Sequence, residues 1–141
     1  MTAPHVLLVD NDILDLELAK RILEDLEPAP CVTTADNGEE ALAYLASLDR
    51  LPDLVLLDVN MPRLNGFDVL ECLRRSARSA KLPIVLLSTS REERDVRRGL
   101  ASGATEYRVK PSRLDALEAL LQDLVTRWCR PAATLFSMPT E

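Results

Sequence analysis

The amino-acid sequence predicts an α/β fold in which five parallel strands alternate with five helices. Short, purely apolar runs recur along the 141-residue chain, at residues 6–9, 54–57 and 84–87. Each run precedes a stretch in which apolar residues recur with the 3.6-residue period of a helix. Strands that alternate with helices in this way form a parallel sheet covered by helices on both faces.

The continuity of the apolar runs indicates where each strand lies in the sheet. The three pure runs are typical of central strands buried on both faces. Residues 31–34 (Cys-Val-Thr-Thr) and 107–109 (Tyr-Arg-Val) mix apolar and polar side chains, which indicates half-exposed edge strands. With right-handed crossovers, this distribution predicts a flavodoxin-like (βα)5 three-layer sandwich with strand order 2-1-3-4-5.

The helices are predicted from apolar spacing, and two of them carry further information. A helix over residues 91–102 has few apolar anchors, Val96 and Leu100, and contains Gly99, which together favour a mobile element. The last helix is expected to bury one long stripe against the sheet. That stripe consists of Leu114, Leu117, Leu121, Leu124 and Trp128.

Composition narrows the classes of function. The formal net charge is -6, whereas a nucleic-acid groove needs clustered Lys and Arg, so no nucleic-acid binding is expected. The three scattered cysteines form neither a disulfide framework nor a zinc motif. No signal peptide or membrane-spanning run is found, and a cytoplasmic protein without membrane attachment is expected.

The length suits a single domain, which we expect to span residues 1–129. Residues 130–141 would form a C-terminal tail with two prolines and three large apolar residues, Leu135, Phe136 and Met138. Such a tail is either a disordered end or a segment that packs on a partner chain. The sequence is compatible with both interpretations.

Polar side chains follow four of the predicted strands, at the point where each strand ends. Asp10 and Asn11 follow the first, Asp58 the third, Ser88 the fourth and Lys110 the fifth. The carboxyl ends of parallel strands form the ligand crevice of an open α/β sheet. We therefore expect these five side chains to meet in one pocket.

The residue types in that pocket indicate phosphoryl transfer. Neighbouring carboxylates repel each other unless a cation lies between them, and their hard oxygens suit Mg²⁺. A lysine and a hydroxyl suit an anion, and a carboxylate can itself act as the nucleophile to give an aspartyl phosphate.

At these residues the sequence resembles the receiver domains of two-component response regulators, over residues 4–129. The features that carry the resemblance are Asp10–Asn11, Asp58, the Met61–Pro62 turn with Gly66, Ser88, and Lys110–Pro111. The long last helix with Trp128 and the tail are most similar to the single-domain regulators that partner bacterial phytochrome kinases.

The resemblance implies a role for each site residue. Asp58 would be the phosphoacceptor for a sensor histidine kinase, with a bacterial phytochrome as the candidate kinase. Asp10, Asn11, Asp58 and the backbone carbonyl of Asn60 would hold Mg²⁺.

The resemblance also implies how the site signals. Ser88 and Lys110 would contact the bound phosphoryl group, and Tyr107 would move inward as the switch aromatic. The Lys110–Pro111 peptide bond would be cis, as is common in the family.

Asn11 departs from the family pattern, which usually has an acid at this position. A neutral amide should weaken Mg²⁺ binding and, with it, phosphorylation. One alternative is therefore a degenerate receiver that binds its partners without being phosphorylated.

A second alternative is a phosphatase of the haloacid-dehalogenase type, with Asp10 as nucleophile and Asp12 as general acid. It requires an acidic pair on a further strand, but only one helix follows Lys110, and it leaves Asp58 without a role. Asp12 is more simply a helix cap. An FMN-binding flavodoxin is disfavoured because the loop after the first strand is acidic.

No output domain is apparent, so the signal is expected to leave through protein contacts. The expected function is a stand-alone regulator, not an enzyme, that assists its own phosphotransfer and dephosphorylation. We also expect a homodimer through the helix at residues 91–102, the fifth strand and the last helix. The downstream partner is not indicated by the sequence.

Overall fold

The computed structural model describes residues 3–129, which contain one parallel five-stranded sheet. Its strand order is β2-β1-β3-β4-β5, so the predicted α/β class and strand order are confirmed. The predicted tail at residues 130–141 lies outside the described residues. The strands are β1 His5–Val9, β2 Cys31–Ala35, β3 Leu54–Asp58, β4 Ile84–Ser88 and β5 Glu106–Val109.

Five α-helices cover the two faces of the sheet. They are α1 Ile13–Glu24, α2 Gly38–Ser47, α3 Gly66–Arg75, α4 Glu93–Ala101 and α5 Leu114–Trp128. Helices α1 and α5 share one apolar core with the sheet, while α2 and α3 share the core on the opposite face. Within residues 3–129 no helix is both long enough and apolar enough to cross a bilayer.

The central strands are buried on both faces, as their apolar runs predict. In β1, Leu7 and Val9 pack toward α2 and α3, whereas Val6 and Leu8 pack toward α1 and α5. This two-residue alternation continues through β3 and β4, because successive side chains of a strand point to opposite faces. Burial of each such side chain contributes roughly 1.5–3 kcal/mol to folding.

The edge strands β2 and β5 are less buried than the central three, which confirms their predicted positions. Every residue of β5 is half-buried, and in β2 only Ala35 is fully buried. Both strands therefore flank the sheet while their last residues lie near its carboxyl edge.

Helix α4 differs from the prediction in its bounds and in its buried face. It spans Glu93–Ala101 rather than residues 91–102, and the expected anchor Leu100 is 50% exposed. Gly99 is buried instead, and a Cβ on it would lie only 2.8 Å from Leu86 and 3.0 Å from Tyr107. The helix approaches the sheet so closely that a glycine makes the contact, which turns Leu100 toward solvent.

Helix α5 buries most of its predicted stripe. Leu121 and Leu124 are fully buried, and Leu117 and Trp128 pack against the same core. The prediction is wrong for Leu114, which is 54% exposed because it begins the helix at the edge of the sheet.

Candidate functional site

The carboxyl ends of the strands bring four polar residues to one edge of the sheet. Asp58 is the last residue of β3 and Ser88 the last of β4, while Asp10 and Lys110 directly follow β1 and β5. The Lys110 backbone N–H donates to the Ser88 carbonyl at 2.8 Å, so the sheet ladder extends into the site. Of the five side chains predicted to meet, those of Asp10 and Asp58 contact that of Lys110, whereas the Ser88 hydroxyl bonds to Ser90.

Lys110 joins the two buried carboxylates. Its Nζ lies 2.9 Å from Asp10 Oδ2 and 3.0 Å from Asp58 Oδ1. The side chains of Asp10 and Asp58 are only 11% and 8% exposed, so the ammonium compensates charges that water can hardly reach. The Lys110 ammonium thus holds both carboxylates within a few ångströms of each other.

Burial also changes how these groups titrate. Desolvation raises the pKa of Asp58 to about 6, against the lowering effect of Lys110 and with a further rise from the charges of Asp10 and Asp15. Burial alone would lower the pKa of Lys110, but its hydrogen bond to Asp10 and the charge of Asp58 raise it overall. At pH 7 Asp58 is mostly ionised, so its oxygens can act as a nucleophile or as metal ligands.

The sequence reasoning missed Asp15, which also faces Lys110. Asp15 lies in the first turn of α1, and its Oδ2 is 3.8 Å from Lys110 Nζ. The only sequence signal was its place one helical turn beyond Asn11, on the helix that begins at the site. Its contact with a residue from the far end of the chain could not be read from that spacing.

Asp12 is confirmed as a helix cap. Its side chain accepts hydrogen bonds from the backbone N–H groups of Leu14 and Asp15, at 3.0 and 3.2 Å. Its own backbone N–H donates to Asp10 Oδ1 at 2.9 Å. The cap therefore orients the buried acid at the strand end.

Ser88 connects the site to helix α4 through Ser90. The Ser88 hydroxyl accepts a hydrogen bond from the Ser90 backbone N–H at 3.1 Å. The Ser90 hydroxyl donates to Asp95 at 2.6 Å and accepts from the Glu92 N–H at 3.2 Å. Tyr107 completes the network, because its hydroxyl donates to the Ser90 carbonyl at 3.0 Å.

Only two of the four residues expected to bind Mg²⁺ are acidic. Asp10 and Asp58 are hard donors close to each other, and the exposed residues Asn11 and Asn60 follow them along the chain. Within residues 3–129, no three His, Cys, Asp or Glu side chains are grouped to hold a metal. The donor set fits a divalent cation that keeps several of its waters, as Mg²⁺ usually does.

The turn after β3 packs against the backbone of Asp58. The Gly66 N–H donates to the Val59 carbonyl at 2.9 Å, and a Cβ on Gly66 would lie 2.6 Å from the Asp58 carbonyl oxygen. Asn65 and Asp68 form a reciprocal capping box that starts α3 at this point. Only a glycine allows the helix to begin so close to the strand that carries Asp58.

The expected cis bond between Lys110 and Pro111 is wrong. The one cis peptide bond in residues 3–129 is Glu27–Pro28, so Lys110–Pro111 is trans. Trans remains the lower-energy form of most X–Pro bonds, by roughly 0.5–1 kcal/mol.

A cavity of about 350 Å³ opens beside the site, between α1 and α5. Its polar end is formed by Asp58, Lys110 and their neighbours, and its walls are mainly leucines. Leu18 and Leu114 line the cavity and are themselves 40% and 54% exposed. An apolar surface therefore lies directly beside the buried carboxylates.

Comparison with known proteins identifies the family. A model described as the response regulator receiver domain matches residues 6–122. The two-component response regulator ORR3 of Oryza sativa subsp. indica is 36% identical over 124 residues, which cover 88% of this chain and 92% of that protein.

Solved structures agree with that match. The phosphorylated cyanobacterial phytochrome response regulator RcpA has a TM-score of 0.84 and 28% identity, covering 91% of this chain and 95% of its own. The Mn²⁺-bound form of response regulator Rcp1 has a TM-score of 0.79 and 26% identity, covering 89% and 94%.

Receiver domains of this kind are phosphorylated on an aspartate, bind Mg²⁺ and interact with histidine kinases, and they are generally not catalytic enzymes. The fold, the acidic strand ends and these matches lead to one conclusion: the chain belongs to the response regulator receiver family.

Proposed function

We propose that this receiver accepts a phosphoryl group on Asp58 from a sensor histidine kinase, in a Mg²⁺-dependent reaction, and signals through protein contacts. The observation that carries the proposal is the position of Lys110, whose ammonium contacts both Asp58 and Asp10. An acceptor carboxylate, a second acid and a cation in contact are the parts that phosphoryl transfer requires.

The chemistry assigns one step to each group. An Asp58 oxygen attacks the phosphorus, the P–N bond to the kinase imidazole breaks, and the imidazole nitrogen keeps the electron pair. Lys110 is close enough to balance charge on the phosphoryl oxygens, and the Ser88 hydroxyl would donate a hydrogen bond to one of them. The same groups would assist hydrolysis of the aspartyl phosphate by water.

The ligands proposed for Mg²⁺ are the carboxylates of Asp10 and Asp58, the side chain of Asn11 and the backbone carbonyl of Asn60. When bound, Mg²⁺ supplies positive charge that stabilises the phosphoryl oxygens. The burial of Asp10 and Asp58 beside Lys110 supports two of these ligands. Asn11 contributes a neutral oxygen, so we expect a weak site.

A structural change at Ser88 would reach the protein surface through Ser90. When Ser88 turns to a phosphoryl group, its hydroxyl no longer accepts the Ser90 N–H in the same geometry. Ser90 also holds Tyr107 and the first turn of α4, so these would shift together. In this proposal, inward movement of Tyr107 and repositioning of α4 form the output.

The surface proposed for the kinase surrounds the cavity between α1 and α5. Leu18 and Leu114 line that cavity and are exposed although they are large and apolar, and Ile13 and Leu14 at the start of α1 are exposed as well. Such a patch beside the acceptor suits the apolar face of a helical partner. The similarity to RcpA, a phytochrome response regulator, supports a bacterial phytochrome as the candidate kinase.

Homodimerisation through α4, β5 and α5 is part of the same proposal. Leu100 on α4 is 50% exposed and offers an apolar contact on that face. Light scattering that gives a monomer mass both with and without a phosphoryl mimic would reject the dimer.

The test of phosphorylation is intact-protein mass after incubation with acetyl phosphate and Mg²⁺. We expect a gain of one phosphoryl group that disappears in Asp58→Asn and on chelation of Mg²⁺. Asp49→Asn, at an exposed acid, is the matched control and should still gain the group. If the wild type gains nothing even with a histidine kinase, the chain is a degenerate receiver. Repeating the assay with Asn11→Asp then tests whether the amide is the cause.

A further inference from the structure

Lys110 lies among three carboxylates rather than two. Beyond Asp10 and Asp58, at 2.9 and 3.0 Å, the Asp15 carboxylate approaches to 3.8 Å. Asp15 also lines the cavity that reaches Asp58 and Lys110. Its side chain is 56% exposed, so it forms the solvent side of a cluster whose other two acids are buried.

The charge of the cluster depends on Asp15. Two carboxylates and one ammonium leave a single net negative charge, and the neighbouring Asn11 is neutral. The third carboxylate makes the net charge minus two, which is equal in size and opposite in sign to the charge of one divalent cation. At separations of a few ångströms a unit charge changes the binding of such a cation measurably, even near the surface.

The position of Asp15 is defined by the helix start. Its backbone N–H donates to the Asp12 side chain at 3.2 Å, within the cap that also orients Asp10. An acid in the first turn of a helix is favoured by the helix dipole alone. That effect does not explain an approach to Lys110, which belongs to the loop after β5 and lines the same cavity as Asp15.

We infer that Asp15 is a positioning residue of the cation site. Through its contact with Lys110 it supplies a negative charge to the site, which the neutral side chain of Asn11 does not supply. This inference rests on the proposed function. The negative charge of Asp15 attracts the cation. Asp15 can also pair with Lys110 when a cation enters between Asp10 and Asp58. Its effect should therefore fall as salt is raised.

The experiment measures Mn²⁺ binding to the full chain by the loss of the free-ion EPR signal, followed by displacement with Mg²⁺. Asp15→Asn should raise the Mn²⁺ Kd roughly three- to tenfold at low salt, with a smaller ratio at high salt. Asp15→Glu should retain most of the affinity. Glu17→Gln is the matched control, because it removes the same charge from α1 at a residue that lines a different depression.

Two results would overturn the inference. One is an Asp15→Asn affinity within twofold of wild type at low salt; the other is an equal loss in Glu17→Gln. Either leaves the proposed phosphorylation of Asp58 standing. If the wild type binds no Mn²⁺ that Mg²⁺ displaces, the Mg²⁺ part of the proposed function fails and this inference fails with it. The mass assay on Asp58 then reports separately on phosphorylation.

Discussion

The hydroxyl of Tyr107 donates a 3.0 Å hydrogen bond to the backbone carbonyl of Ser90. This bond ties the edge strand β5 to the loop that leads from Ser88 into helix α4. Ser90 also forms hydrogen bonds with Glu92 and Asp95, so this one residue holds the start of α4 in place. The aromatic ring and the helix should therefore respond together to any change at Ser88.

Replacement of Tyr107 by Phe removes that hydrogen bond and little else. We expect faster amide hydrogen exchange at residues 90–96, with a loss of global stability of about 1 kcal/mol or less. Mass-spectrometric exchange at peptide resolution measures the first effect. Tyr44→Phe is the control, since the Tyr44 hydroxyl bonds to Thr33 at the opposite edge of the sheet. Unchanged exchange in Tyr107→Phe would contradict a role for this bond in holding α4.

Asp58→Asn should stabilise the fold at neutral pH. Burial raises the Asp58 pKa to about 6 from an ordinary value of 3.8, so the folded state binds this proton more tightly than the unfolded state. The contribution of Asp58 to wild-type stability therefore falls as pH rises from 3.8 to about 6, and Asn does not share that loss.

The gain in Asp58→Asn should be on the order of 1–3 kcal/mol above pH 6 and should vanish below pH 4. Urea unfolding followed by the fluorescence of Trp128, the single tryptophan, measures it across this range. Asp49→Asn, at an exposed acid, should show no such pH-dependent gain. A variant that is less stable than wild type at pH 7 would mean that the Lys110 contact outweighs the burial of Asp58.

Gly66→Ala should be far more damaging than Gly99→Ala. At Gly66 the new methyl would lie 2.6 Å from the Asp58 carbonyl oxygen and 2.8 Å from Val59 Cα, which are backbone atoms that cannot move aside. At Gly99 it would meet the side-chain atoms of Leu86 and Tyr107, which can adjust.

Alanine gains about 1 kcal/mol over glycine in helix propensity inside a helix, which partly offsets the steric cost at Gly99 but not at Gly66, the first residue of α3. We expect a net loss of roughly 2–4 kcal/mol for Gly66→Ala and less than half of that for Gly99→Ala. Chemical unfolding of the two variants side by side measures the difference. Equal losses would refute the distinction between backbone and side-chain contact.

The three cysteines should differ in reactivity. Cys31 and Cys72 are exposed, whereas Cys129 is buried, and burial raises the pKa of its thiol to about 12. Only the thiolate is nucleophilic, so the native protein at pH 7.5 should take up two equivalents of N-ethylmaleimide quickly, with a third only on unfolding. Intact mass counts the adducts. A Cys31→Ser/Cys72→Ser variant that is still labelled rapidly would show that Cys129 is accessible.

Much of the fold could be predicted from the sequence, because the period of apolar residues reports burial directly. The pure runs in β1, β3 and β4 required a sheet covered on both faces, and the mixed runs marked its edges. Apart from the Lys110–Pro111 bond, which is trans, the failures occurred on helices, at Leu100 and Leu114, where the depth of burial depends on how a helix approaches its neighbours. Gly99 has no side chain to signal a contact, yet it is the buried residue of α4.

The sequence by itself determined the strand order and the set of polar residues at the strand ends, since parallel strands must bring those ends to one edge. Only the tertiary structure decided which side chains touch there. Lys110 reaches Asp10, Asp58 and also Asp15, a residue that sequence reasoning left out. These contacts depend on how α1 is placed against the loop after β5. That placement results from packing across the whole core, and no local pattern in the chain encodes it.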